Sequence, residues 1–215
     1  MRNNTAFDLF VERVHELLQA GYEAMDVKAC NVWAEPEISG ELAWQIEQLL
    51  FARPQLWMRY WTAVDNWPEN EPNTMGSKRR LGKRRRLPDI KLKYAGQRET
   101  LYFRFEAKKL AGTGDYTDLI SHKDGLGRFL RRVYGRHDDA GGLLGYVQTE
   151  SPPVHAERVR TALATDPRKY QVNADGEWTI VTWKSGPQCC FRVIHSRKGG
   201  APIVIFYSFL LFRAL

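Results

Sequence analysis

The sequence predicts a mixed α/β domain, with a central β-sheet flanked by helices. Three observations point there. Apolar residues recur at helical spacing near the N-terminus and again after residue 120. Two neighbouring stretches in the middle alternate with period two, as half-buried strands do. Further strand-like runs are separated from these by helical ones, which is the pattern of a mixed sheet with helices packed on it. At 215 residues, with 43% hydrophobic and 27% charged side chains, the chain suits one domain with a core of its own, residues 1–215.

The elements follow in order. Phe7, Phe10, Val14, Leu17 and Leu18 form one helical stripe over about residues 5–20, with Asn3, Asn4 and Thr5 as caps and Gly21 as the expected stop. A second helix is expected after Ser39, with Leu42, Ile46, Leu49 and Leu50 on its apolar face and an end before Pro54. A third is expected from Pro54 to Val64, carrying Trp57, Tyr60 and Trp61. Asn66 to Met75 reads as a loop. Leu87–Tyr94 and Thr100–Lys109 read as the two strands of a hairpin turning near Gly96. Period two then sets Tyr102, Arg104, Glu106 and Lys108 on one face of the second strand, and Phe103, Phe105 and Ala107 on the other, toward a core. A helix is expected over 124–134, a strand over 142–148, a helix over 154–164, and strands over 178–184 and 190–196. Ile203–Phe212 is the most apolar tract, too short for the roughly 20 residues a bilayer span needs, and reads as a buried terminal element.

The formal net charge of +7 favours a polyanionic partner. Its placement says more. Lys78, Arg79, Arg80, Lys83, Arg84, Arg85 and Arg86 carry as many charges as the whole excess. A run of this kind is either a solvated loop or a grip on a phosphate backbone, and the second use makes binding weaken steeply with salt. Lys123, Arg128, Arg131 and Arg132 could extend the track along the next helix, Arg128 and Arg132 sharing a face. Cys30, Cys189 and Cys190 have no CxxC spacing, which argues against zinc or a disulfide framework and for reduced thiols in a cytoplasmic protein. No signal-peptide pattern opens the chain, and no membrane partner is expected.

The chemistry gathers around the hairpin. Glu106 and Lys108 share a strand face whatever the register, and Asp89 meets them if the two strands pair about a turn near Gly96. Two carboxylates can hold a hard divalent cation against a phosphate, while an ammonium beside them steers water; the Ala107 carbonyl is a further candidate ligand. There is no Gly-x-Ser-x-Gly elbow, no P-loop and no dinucleotide fingerprint. His195 lies among basic residues in a late strand and is left outside the site. Trp57, Trp61 and Trp67 could stack on bases, with core packing the better account.

On Pro88-Asp89 and Glu106-Ala107-Lys108 the chain resembles the PD-(D/E)XK, or restriction-endonuclease-like, nuclease superfamily. The resemblance covers about half the chain. It implies an αβββαβ core over about 39–148, with an N-terminal helix at 5–20 and a C-terminal α/β extension at 150–215. It implies Asp89 and Glu106 as ligands of Mg²⁺ (or Mn²⁺) and Lys108 as the residue that positions or activates water. Many members add an acid from the first core helix; Glu41 is the candidate and Glu37 its rival. The function implied is metal-dependent endonucleolytic hydrolysis of DNA, in a family whose small members often serve restriction or anti-phage defence. A homodimer or a partner defence subunit would fit with it. The alternative is a catalytically inactive nucleic-acid-binding subunit that keeps the nuclease fold. A protein whose basic loop binds an acidic protein ranks last, since it leaves the acidic residues unexplained.

Overall fold

A computed structural model of the chain describes residues 4–52, 55–65, 89–96, 100–135, 137–174 and 176–213. The basic run at 78–86, Trp67 and Pro88 lie outside the described residues.

The opening stripe winds into α1, Asn4–Ala24, and buries Phe10, Val14, Leu17 and Leu18. Gly21 does not stop it. A Cβ there would stand 2.5 Å from Cγ1 of Ile46, so the glycine lets α1 lie close against α3, Glu35–Ala52. A short helix, α2 (Val27–Cys30), joins the two, with the Asp26 carboxylate accepting from the Ala29 N–H. The α3 helix begins four residues before the expected Ser39. Pro36 sits in its first turn, where its missing N–H costs nothing, and the Glu37 carboxylate accepts from the Ala34 N–H at 2.7 Å. Ser39 is buried instead, its hydroxyl 2.9 Å from that of Tyr146.

The expected helix at 54–64 is not formed. A 3-10 turn at Leu56–Tyr60 leads into strand β1, Trp61–Asp65. The apolar spacing of Trp57, Tyr60, Trp61 and Val64 fits a helix as well as a strand, and pairing with β2 (Ile90–Ala95) decides for the strand. Next come β3 (Thr100–Leu110), α4 (Tyr116–Leu119), α5 (Leu126–Leu130), β4 (Ala140–Val147), α6 (Pro152–Thr165), β5 (Thr179–Ile180), β6 (Cys190–Arg197) and β7 (Gly200–Leu211). The helix read over 124–134 is thus only five residues long, because the backbone leaves helical geometry at Gly125 (φ 52°) and Arg132 (φ 58°). Arg128 and Arg132 therefore do not share a helix face, and Arg132 donates to the Gly199 carbonyl at 2.6 Å. The strand expected over 178–184 shrinks to Thr179–Ile180.

Among the described residues the strands form one mixed sheet in the order β1-β2-β3-β4-β7-β6-β5. The central pairs β3–β4 and β4–β7 are parallel, and the remaining four pairs antiparallel. The C-terminal tract is therefore no appendage: β7 lies between β4 and β6, buried on both faces, as its unbroken apolar run requires. One face carries α1 and α3 over Phe103, Phe105, Ala107, Leu144 and Phe206. The other carries α4, α5 and α6 over Leu143, Val147, Ile205 and Phe209. No helix among the described residues is long and apolar enough to cross a membrane.

Two core histidines give the fold an acid limit. His195 has Nδ1 2.8 Å from the Tyr170 carbonyl and Nε2 2.9 Å from the Tyr207 hydroxyl; His15 has Nδ1 2.8 Å from the Val11 carbonyl and stacks on Trp183. Burial lowers both to about 4, from an ordinary value near 6.5. The unfolded chain binds the extra protons, so the histidines' contribution is full above pH 6.5 and is lost as the pH drops toward 4, by about 3 kcal/mol for each. Glu106, raised to about 7, changes stability in the opposite sense over the same window, so the measurement is the pH profile of urea stability in wild type against His15→Gln and His195→Gln. Profiles that do not differ would show that neither ring is held neutral.

Candidate active site

The site stands where β2 meets β3. Register places Ile90 opposite Phe105, so continuing it by one residue sets Asp89 opposite Glu106. The chain joins the ladder there: the Asp89 N–H donates to the Phe105 carbonyl at 3.0 Å, and the Asp89 carboxylate accepts from the Ala107 N–H at 2.7 Å. A side chain thus does what the next backbone carbonyl of a longer strand would do.

The phase of β3 is the expected one. Phe103, Phe105 and Ala107 face the α1–α3 core, yet the opposite, charged face is not open to solvent. Arg104 and Glu106 are each 1% exposed, covered by the α4–α5 side. Arg104 is paired with Asp138. Glu106 lies between two cations: Oε2 accepts from Arg128 at 2.9 Å, and Oε1 is 3.2 Å from Lys108 Nζ. That ion pair is the contact Oε1 makes, since the oxygen is buried and accepts no further hydrogen bond. Lys108 Nζ donates to Glu35 Oε1 at 2.9 Å, while Glu35 Oε2 accepts from the Lys109 N–H at 3.1 Å. Arg128 also donates to Asp124 Oδ1, at 3.0 Å, and to the Tyr134 hydroxyl.

The electrostatics set burial against neighbouring charges. Burial, together with the nearby Asp89 carboxylate, pushes Glu106 up to about 7 despite Lys108 and Arg128. Burial raises Asp89 as well, against the Ala107 hydrogen bond and the Lys108 charge. Lys108 goes the other way: burial would lower it, but Glu106 and Glu35 hold it above its ordinary value and therefore charged. One buried and one half-buried carboxylate, both raised chiefly by burial, thus stand beside two cations, Lys108 and Arg128.

The donors fit a hard divalent ion in a limited way. Among the described residues no three His, Cys, Asp or Glu side chains gather as a metal cluster. Asp89, Glu106 and the Ala107 carbonyl offer oxygens only. Mg²⁺ is commonly held by one or two carboxylates, with water and substrate phosphate filling the rest of its shell. Glu106 Oε1, which has the Lys108 ammonium 3.2 Å away, is the oxygen such an ion would have to share with that cation.

The helix acid in this group is Glu35. Glu41 lies six residues, about 9 Å, further along α3, where its carboxylate accepts from Gln45 at 2.8 Å and adds to burial in raising the Cys30 thiol. Glu37 caps the helix. A helix start after Ser39 leaves Glu35 outside α3; Glu-Pro-Glu at 35–37, with proline in the first turn and acids on either side, is the signal that places it inside. In sequence Arg128 reads as part of a basic track, and nothing local pairs it with Glu106. Trp57 and Trp61 lie elsewhere, in an apolar hollow of about 510 Å³ with Tyr60, Tyr94 and Leu101. That is the far end of β2, five residues or about 17 Å from Asp89. His195 is a core residue.

Comparison of the chain with family models, with curated proteins and with solved structures gave no match in any of the three.

Proposed function

We propose that the protein is a metal-dependent endonuclease of the restriction-endonuclease-like type, acting on DNA. The observation that carries this is the meeting of Asp89, Glu106 and Lys108 with Glu35 at the N-terminus of α3, in a largely buried site. The element order α3, β1, β2, β3, α4–α5, β4 supports the αβββαβ core. The basic run at 78–86 reaches Asp89 along the chain, and phosphate contacts of that kind position a duplex without reading its sequence.

In this reading Asp89 and Glu106 would hold Mg²⁺ or Mn²⁺, which would supply Lewis-acid stabilisation of negative charge on a phosphate. Asp89, tied to the Ala107 N–H, presents its other oxygen in a fixed direction. Lys108, kept charged by Glu35, orients the attacking water for in-line displacement and hydrogen-bonds a phosphate oxygen. Restriction or anti-phage defence is the setting this activity suits.

The test is incubation of pure protein with supercoiled plasmid, linear duplex and single strands, with and without Mg²⁺ or Mn²⁺. Nicking or cleavage that requires the metal is expected, and Asp89→Ala or Lys108→Ala should abolish it. Full activity in both variants, or none in the wild type on any nucleic acid, overturns the reading. Salt-sensitive binding with no turnover would instead mark a binding subunit that has kept the fold.

A further inference from the structure

The Glu106–Arg128 contact has a bearing on how such a site is loaded. Arg128 reaches Glu106 from α5, on the face of the sheet opposite α3. Its guanidinium donates to Glu106, to Asp124 and to the Tyr134 hydroxyl, among other contacts. It also lines an open hollow of about 410 Å³, together with Lys108, Ser121, Asp118 and Asp124. Both cations that flank Glu106 thus have a side turned to one open hollow. Glu106 Oε1, beside Lys108, accepts no hydrogen bond.

A guanidinium 2.9 Å from one oxygen of a carboxylate lowers that carboxylate's affinity for a divalent ion on its other oxygen. The repulsion between such charges is severe where solvent is largely excluded. Arginine also matches the geometry of phosphate, with two parallel N–H donors. Asp124 and Tyr134 can keep Arg128 on the wall of the hollow after it leaves Glu106.

We propose that Arg128 exchanges partners at this site: it neutralises Glu106 while the divalent cation is absent, and gives up Glu106 to hold a substrate phosphate when the cation is present. Arg128 and the metal therefore compete for one carboxylate. The inference rests on the nuclease reading above, because it takes Glu106 as a metal ligand.

The experiment is calorimetric titration of Mn²⁺ into wild type, Arg128→Met, Arg128→Lys and Asp89→Asn, with thermal melting as a check on folding. Arg128→Met should bind Mn²⁺ about tenfold more tightly than wild type, since a competing charge is gone. Arg128→Lys, which keeps the charge, should bind like wild type. DNA affinity measured in Ca²⁺ should fall in the Met variant, whose phosphate contact is lost. A merely structural arginine predicts the reverse for the metal, because its loss would loosen the site and weaken Mn²⁺. Should the Met variant melt early, Arg128→Gln carries the same test. Equal or weaker Mn²⁺ binding in the charge-free variants overturns the exchange. Mn²⁺ binding that is absent from wild type, or indifferent to Asp89→Asn, overturns the nuclease reading and the exchange with it.

Discussion

Replacing Glu106 with glutamine is expected to slow metal-dependent cleavage about 10³-fold or more while leaving the chain folded. Two features separate these effects. The cations around Glu106 have other partners: Lys108 keeps Glu35, and Arg128 keeps Asp124 and Tyr134. Neither is stranded, so the large cost of leaving one member of a buried pair alone does not arise. The position is also close to tolerating a neutral group, since burial and Asp89 already push the carboxyl up to about 7. Glutamine keeps the shape but cannot supply the anionic oxygen a divalent ion needs. The measurement is cleavage rate at saturating Mg²⁺ or Mn²⁺ beside a melting curve. Wild-type turnover in a folded Glu106→Gln protein would reduce Glu106 to a structural ion pair.

Gly127→Ala is expected to cost about 3 kcal/mol or more, because the clash is with backbone rather than with a mobile side chain. A Cβ at Gly127 would stand 1.9 Å from the His122 carbonyl oxygen. The loop cannot step aside cheaply, since the Gly127 N–H donates to Ser121 at 2.9 Å and holds that turn against α5. For a chain of this size the melting temperature should drop about 6–12 °C. Arg128 is the next residue, so activity should fall together with stability. An unchanged melting temperature would show that the 121–127 turn relaxes, and that α5 is not fixed by this contact.

The hairpin was legible in the sequence because its information is local. Period two sets Glu106 beside Lys108 and Phe105 beside Ala107 on opposite faces, and the turn near Gly96 requires the two strands to pair. The 54–64 segment shows where local pattern fails: Trp57, Tyr60, Trp61 and Val64 satisfy two periodicities, and the choice falls to β2, some 30 residues away in sequence. β7 is another case. Its apolar run says that it is buried, and nothing in the run says that it lies between β4 and β6.

The site divides along the same line. The sequence by itself determined the strand phase, the residue types Asp89, Glu106 and Lys108, and the excess of positive charge in 78–86. Only the tertiary structure decided that Asp89 falls opposite Glu106, that the charged face of β3 is covered, and that Glu35 rather than Glu41 meets Lys108. It alone set Arg128 on Glu106. The physical reason is distance along the chain. Lys108 and Glu35 are 73 residues apart, Glu106 and Arg128 22, and such contacts arise from packing helices onto a sheet, which leaves no period in the sequence.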